Sequence, residues 1–220
     1  KLYADGAMGS RGAWLLEPYS DQPVGADGQG WSGLSLTRPE WIRRACDEAL
    51  QRGFQVCTHA IGDRGNRETL DAYAAALAER PTADHRFRIE HAQLLSPEDL
   101  PRLAQLGVIA SMQPTHCTSD MRWVEQRVGA ERARGAYAWA SLLRSGAQLA
   151  AGSDFPVESH NPFLGFYAAV TRQTVDGEPE GGWRPEQRLT REEALRAFTL
   201  GAAYAAFEEG QKGSISPGKL

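Results

Sequence analysis

Cysteine is scarce in these 220 residues: Cys46, Cys57 and Cys117 are three in number and widely spaced. That excludes a CxxC-type zinc ribbon and an even-numbered disulfide framework, and it fits a reducing compartment. Cys46 falls in a helical pattern and Cys57 in a strand pattern, where small thiols commonly pack into cores. An excess of charge of one sign is also missing. Lysine and arginine total 24 against 28 acidic residues, a net charge of −4 with the five histidines neutral. Such a balance gives no electrostatic footprint for nucleic acid or an anionic membrane as a partner. No apolar run approaches the roughly 18–20 residues of a bilayer crossing. There is no low-complexity tract and no sequence repeat, and the 41% hydrophobic and 24% charged composition excludes wholesale disorder. An initiating methionine is missing as well: the chain opens on Lys1, and residues 213–220 read as the approach to a further strand. The expectation is a piece of a longer, cytoplasmic chain.

What is present is a repeating pattern. Thr37, with Glu40 three residues on, is expected to cap a helix whose apolar stripe runs through Trp41, Ile42, Ala45, Ala49 and Leu50 and ends at Gly53. A strand over 54–59, a glycine-containing loop over 61–65 and an alanine-rich helix from about 66 to 79 follow. The cycle repeats with a strand over 86–91, a helix capped by Ser96 with Pro97 at its first position, a strand over 108–112 and a helical region over 121–144. A last strand over 148–154 precedes one helix after Asn161-Pro162 and another capped by Thr190 with Glu193. Strands alternating with helices predict βα units and a parallel sheet. Two polar, glycine-rich stretches, 9–33 and 174–188, break the rhythm, and loops of that length are usually functional lids or disordered insertions. Trp14, Tyr19 and Trp31 favour an ordered loop over a site for the first.

His59, His91 and Asp154 each sit where an apolar run gives way to a loop. Their separations, 32 and 63 residues, are one and two steps of about 31 residues, the length of one βα unit in a (β/α)8 barrel. The three therefore share one place on their units, the C-terminal rim where such barrels build their sites. Two imidazoles and a carboxylate aimed at one point suit a divalent metal such as zinc, which activates water for hydrolysis. Taken singly, each residue also fits a hydrogen-bonded strand end or a turn. His85 and His160 lie near turn residues and are expected to be solvated. Glu90 is expected on the opposite side of its strand from His91, in a structural role. Gln113 and His116, just beyond the strand at 108–112, are rim residues for contact with substrate, with a plain loop role as the other reading.

At these residues the sequence resembles the amidohydrolase superfamily of metal-dependent hydrolases, within it the amidohydrolase-3 (YtcJ-like) branch. The matching stretches are KLYADGAMGSR at 1–11, THAIGD at 58–63, IEHAQ at 89–93, SMQPTH at 111–116 and GSDFPV at 152–157, followed by NP at 161–162 and AAVTR at 168–172. The resemblance implies an α/β fold, strands 4–8 of a distorted and here incomplete (β/α)8 TIM barrel over residues 1–212, with 213–220 starting the return to a small β-sandwich. It implies metal ligands at Lys1 (as a carboxylated, bridging lysine), His59, His91 and Asp154, and one or two divalent ions, zinc first. The HxH pair of the family's first strand would lie upstream of Lys1.

The activity implied is hydrolysis of an amide-type, non-peptide C–N bond of a small molecule by metal-activated water, with Asp154 as general base and then acid. Asp5 and Arg11 belong to the matching opening stretch without an assigned role. No nucleic-acid or membrane partner is expected, and homo-oligomerisation of the full-length protein is left open. Two other classes remain at this point: a non-catalytic barrel fragment or binding module with an incomplete metal site, and a phosphate-binding barrel isomerase. The residues Phe155 to Glu158 suit a phosphate loop poorly, and Gly62 and Gly65 lack the following Lys-Ser/Thr of a nucleotide loop.

Overall fold

Five short apolar runs become five strands, each paired with the next in chain order. The computed structural model describes residues 1–22, 24 and 28–220; four positions of the 9–33 loop, 23 and 25–27, lie outside the described residues. The strands are β1 (Leu2–Tyr3), β2 (Cys57–Ala60), β3 (Arg88–His91), β4 (Ile109–Met112) and β5 (Gln148–Ala151), all parallel, in the order β1-β2-β3-β4-β5. Parallel pairing requires a crossover between strands, and the helices supply it. They are α1 (Pro39–Arg52), α2 (Asp63–Glu79), α3 (Leu100–Leu106), α4 (Pro114–Asp120), α5 (Val124–Arg132), α6 (Trp139–Arg144), α7 (Pro162–Thr171), α8 (Arg191–Arg196) and α9 (Ala202–Ala205). No described helix is long and apolar enough to cross a membrane.

Register decides which side chains meet. Leu2, Thr58, Ile89, Ala110 and Leu149 form one row across the sheet. This row faces the helices: Tyr73 of α2 donates a 2.7 Å hydrogen bond to Thr58 Oγ1, and Ile89, Ala110 and Tyr73 are fully buried. Tyr3, His59, Glu90, Ser111 and Ala150 form the next row, which the pleat sends to the opposite face. Glu90 is held there by a 3.0 Å ion pair with Arg88.

Several boundaries differ from those expected. Helix α1 starts at Pro39 after Arg38, with no side-chain cap, so Thr37 does not cap it. Proline loses no bond at the first helical position, and the residue before it is pushed to extended geometry. Gly53 ends the helix in left-handed conformation, as expected. Helix α2 begins at Asp63 rather than near 66, and Gly65 lies inside it because a Cβ there would stand 2.6 Å from an Asp5 carboxylate oxygen. Ser96 opens a turn rather than a helix; it donates to Asp99 at 2.7 Å, and α3 starts only at Leu100. The helical region expected over 121–144 is α5 and α6, interrupted by Gly129 at positive φ, and a further helix that was not expected, α4, precedes it from Pro114. Strand β5 stops at Ala151, leaving Asp154 in the following loop. The cap by Thr190 and Glu193 is present with both reciprocal bonds, and Asn161 caps α7.

His85 is not solvated. It is 9% exposed, its Nε2 lies 2.8 Å from the Leu106 carbonyl and its Nδ1 accepts from the Phe87 amide at 2.9 Å, so it ties β3 to the end of α3. The first long loop is ordered where described, with Leu15 and Tyr19 buried, Arg11 paired with Asp21 at 2.9 Å and the Trp14 carbonyl accepting from Arg64 and Gly65. The second, 174–188, packs on α5 and α6, with Arg184 on Glu125 and Gln187 on Ser141.

Candidate metal centre

The C-terminal ends of the strands open on a cavity of about 440 Å³ whose wall includes Lys1, His59, His91, His116, Asp120 and Asp154. His59 is the third residue of β2. His91 is the last of β3, where strict alternation would aim it at the helices, but its backbone is left-handed (φ 77°) and its ring comes within 4.6 Å of the His59 ring. His116 sits on the first turn of α4, its ring stacked 5.6 Å from that of His91. Proline at the start of α4 fixes this placement, two residues past the end of β4. Asp154, exposed and also left-handed (φ 57°), approaches from the loop after β5.

Ligand atoms of His91, His116 and Asp154 all lie within 4.8 Å of one another. Of the residues expected to bind metal, His91 and Asp154 are therefore brought together, and His116, expected to touch substrate, joins them. His59 stands beside His91, and Lys1 lines the same cavity with its Nζ 5.2 Å from the Tyr3 ring centre. Gln113 is placed behind the cavity, buried, with Oε1 accepting from His91 Nδ1 at 2.7 Å and Nε2 donating to the Ser111 carbonyl at 3.1 Å. This bond leaves His91 Nε2 as the lone-pair nitrogen, the usual device for orienting a ligand imidazole.

The chemistry of these groups fits a divalent cation. Buried nitrogens Nε2 of His59 and of His116 have no hydrogen-bond partner; the former lies 3.5 Å from Asp5 Oδ1. Burial, and then the charge of neighbouring groups, pushes His59 and His91 down to about 4, and burial lowers His116 too, so all three imidazoles are neutral donors at neutral pH. Neutral imidazoles with a carboxylate are the ligand set of zinc-type sites.

Four further residues support the site and escaped the sequence reading. Asp5 is fully buried, accepts from the amides of Trp14, Ile61 and Gly62 at 2.7–2.9 Å, and is pushed up to about 7 by burial. It thereby fixes the turn after His59. Asp120 carries hydrogen bonds from Gln93 and Tyr137. Its spacing of four from His116 on one helix was a readable signal; the partners of Asp5 lie too far along the chain to leave one.

Known proteins match this chain along its whole length. A family model described as "Amidohydrolase family" matches residues 1–220. The chain is 40% identical over 221 residues to Protein LONG AFTER FAR-RED 3 of Arabidopsis thaliana, covering 100% of this chain and 36% of that protein. It is 33% identical to the putative amidohydrolase YtcJ of Bacillus subtilis (strain 168), covering 99% of this chain and 40% of that one. An uncharacterized metal-dependent hydrolase from Pyrococcus furiosus superimposes with a TM-score of 0.82 at 35% identity, over 99% of this chain and 42% of its own. The chain thus spans well under half the length of the relatives it matches, and its parallel sheet is the α/β architecture of an incomplete metal-dependent hydrolase barrel.

Proposed function

The chain belongs to the amidohydrolase family, whose solved relatives include metal-dependent hydrolases, and on that premise we propose that the full-length protein cleaves an amide-type, non-peptide C–N bond of a small molecule. The observation that carries the reading is the convergence of His91, His116 and Asp154 within 4.8 Å beside His59, with two buried imidazole nitrogens left unpaired. His59, His91 and Asp154 would hold one or two divalent ions, zinc by ligand chemistry, with His116 near enough to complete the set and Lys1, if carboxylated, as a further oxygen ligand. When bound, the metal supplies Lewis-acid polarisation of the carbonyl and activation of water.

The chain's own groups do the rest. An Asp154 carboxylate oxygen accepts the proton of the attacking water as its oxygen bonds to the carbonyl carbon. The same oxygen then returns that proton to the amide nitrogen as the C–N bond breaks, releasing an acid and an amine. Asp154 is suited to this because it faces the cavity from an exposed loop, open to exchange protons. Gln113 keeps His91 in one tautomer, and Asp5 holds the turn behind His59. The cytoplasm is the proposed compartment.

The test is metal analysis of the full-length protein alongside hydrolysis of a panel of simple amides. Stoichiometric divalent metal with turnover abolished by a chelator and restored by zinc is expected. A metal-replete preparation that binds none refutes the reading and favours a non-catalytic module.

A further inference from the structure

One carboxylate in the cavity wall is held far more firmly than contact with water requires. Asp120 closes α4, four residues after His116, so both face the same way from the helix. Its Oδ2 accepts from Gln93 Nε2 at 3.0 Å and, over a very short contact, from the Tyr137 hydroxyl. Tyr137 is itself locked. It is buried in left-handed conformation (φ 53°), its amide donates to the Gln93 carbonyl at 2.7 Å and its carbonyl accepts from Arg172 Nη1 at 2.9 Å. Arg172 is fully buried between the rings of Trp139 and Trp183, 4.5 and 5.0 Å from their centres.

This scaffold, drawn from the segment after β3, the segment before α6 and the end of α7, fixes Oδ2 of a carboxylate that lines the cavity. Among the described residues, the side-chain bonds reaching Asp120 fall on Oδ2. Asp120 stands outside the group of His91, His116 and Asp154, so it is not one of the clustered ligands. Beside it the wall is apolar, with Trp123, Met8 and Val157, and a second carboxylate, Glu158, accepts from Ser119 at 2.7 Å.

A fixed acceptor beside an aromatic face recognises a donor carried on a hydrophobic group. Resting on the hydrolase reading above for the purpose of the cavity, we propose that Asp120 is a specificity-determining residue that selects substrates bearing an N–H or cationic donor next to an apolar or aromatic group. Tyr137 is its positioning residue.

The test is calorimetry at pH 8 on the full-length, metal-loaded protein with two probes. One is 2-phenylethylguanidine, a permanent cation and donor with no lone pair to offer a metal. The other is methyl 2-phenylethyl ether, similar in its apolar part and without a donor. The cation is expected to bind about 10- to 100-fold more tightly, the range of a charge-assisted hydrogen bond. Asp120→Asn is expected to abolish that preference. The asparagine carbonyl can still accept from Gln93 and Tyr137 while its amide turns a donor to the cavity, so the fold has no reason to fail. Tyr137→Phe, which keeps the charge and frees Oδ2, is expected to reduce the preference by less.

An unchanged preference in Asp120→Asn overturns the proposal, as does a preference that disappears in Glu158→Gln and not in Asp120→Asn. The hydrolase reading fails separately, by a protein that keeps the cation preference and its metal but hydrolyses no amide.

Discussion

The cavity has two unlike walls. On one side His59, His91 and His116 project from β2, β3 and α4, are largely buried, and are braced by Gln113, by Asp5 and by the left-handed turn at His91. On the other, Asp154 stands three residues beyond β5 in a loop where Phe155, Pro156 and Val157 are exposed with it. The braced wall is built for fixed geometry, since groups on rigid elements hold position better than groups on loops. The loop wall lacks that bracing: its carboxylate reaches the same cluster from an exposed segment.

The sharpest way to break this contrast is Asp154→Asn. It is expected to lower kcat by about 10²- to 10⁴-fold, the range for a general acid–base group. The urea midpoint should stay as in the parent, because the side chain is exposed, while metal retention should weaken, because the same carboxylate is one of the proposed ligands. If the midpoint falls as well, the loop wall is as structural as the other.

Gln113→Leu attacks the braced wall. Removing the acceptor for His91 Nδ1 is expected to weaken metal binding by about 10- to 100-fold in a chelator competition. Unchanged affinity would mean that the backbone alone orients His91.

A third measurement follows Asp120 with pH. Burial, partly offset by the bonds from Tyr137 and Gln93 and reinforced by Glu158, pushes its carboxyl up to about 6. His116 on the same helix is lowered by burial. The ionised form accepts the ligand's donor, so affinity for the phenylethylguanidinium probe is flat above pH 7. It is expected to fall about tenfold per unit below pH 6, the limiting slope for one proton. Asp120→Asn should flatten that limb, and a limb that persists in the variant assigns it to another group.

The smallest effect lies in the scaffold near β5. Thr190→Ala removes the capping box of α8 and is expected to cost about 1 kcal/mol in urea unfolding, with kcat unchanged. A change in kcat would show that the loop wall feels the helices behind it.

The sheet was legible because β2, β3, β4 and β5 are short runs that recur on average about every 30 residues, in individual steps of 31, 21 and 39, and parallel strands buried by crossover helices read that way. The same spacing located His59, His91 and Asp154. It also overextended β5, since the small residues after Ala151 continue the apolar look without continuing the ladder. Helix α4 was missed because seven residues with little apolar periodicity leave only Pro114 as a signal. His85 reads as a surface turn residue, yet its two ring nitrogens find backbone partners on either side, one of them 21 residues away. Asp5 and Tyr137 owe their roles to partners from distant segments, which no local pattern encodes. Gln113 was picked out at the rim, and its direction was decided by the ring of His91.

Strand order carries a consequence for how the molecule is made. Among the described residues, β2 to β5 each bond to the strand before them in the chain, with no later strand inserted between neighbours. As these segments are synthesised, each new βα unit therefore meets an edge already made, and this sheet can extend one unit at a time in chain order.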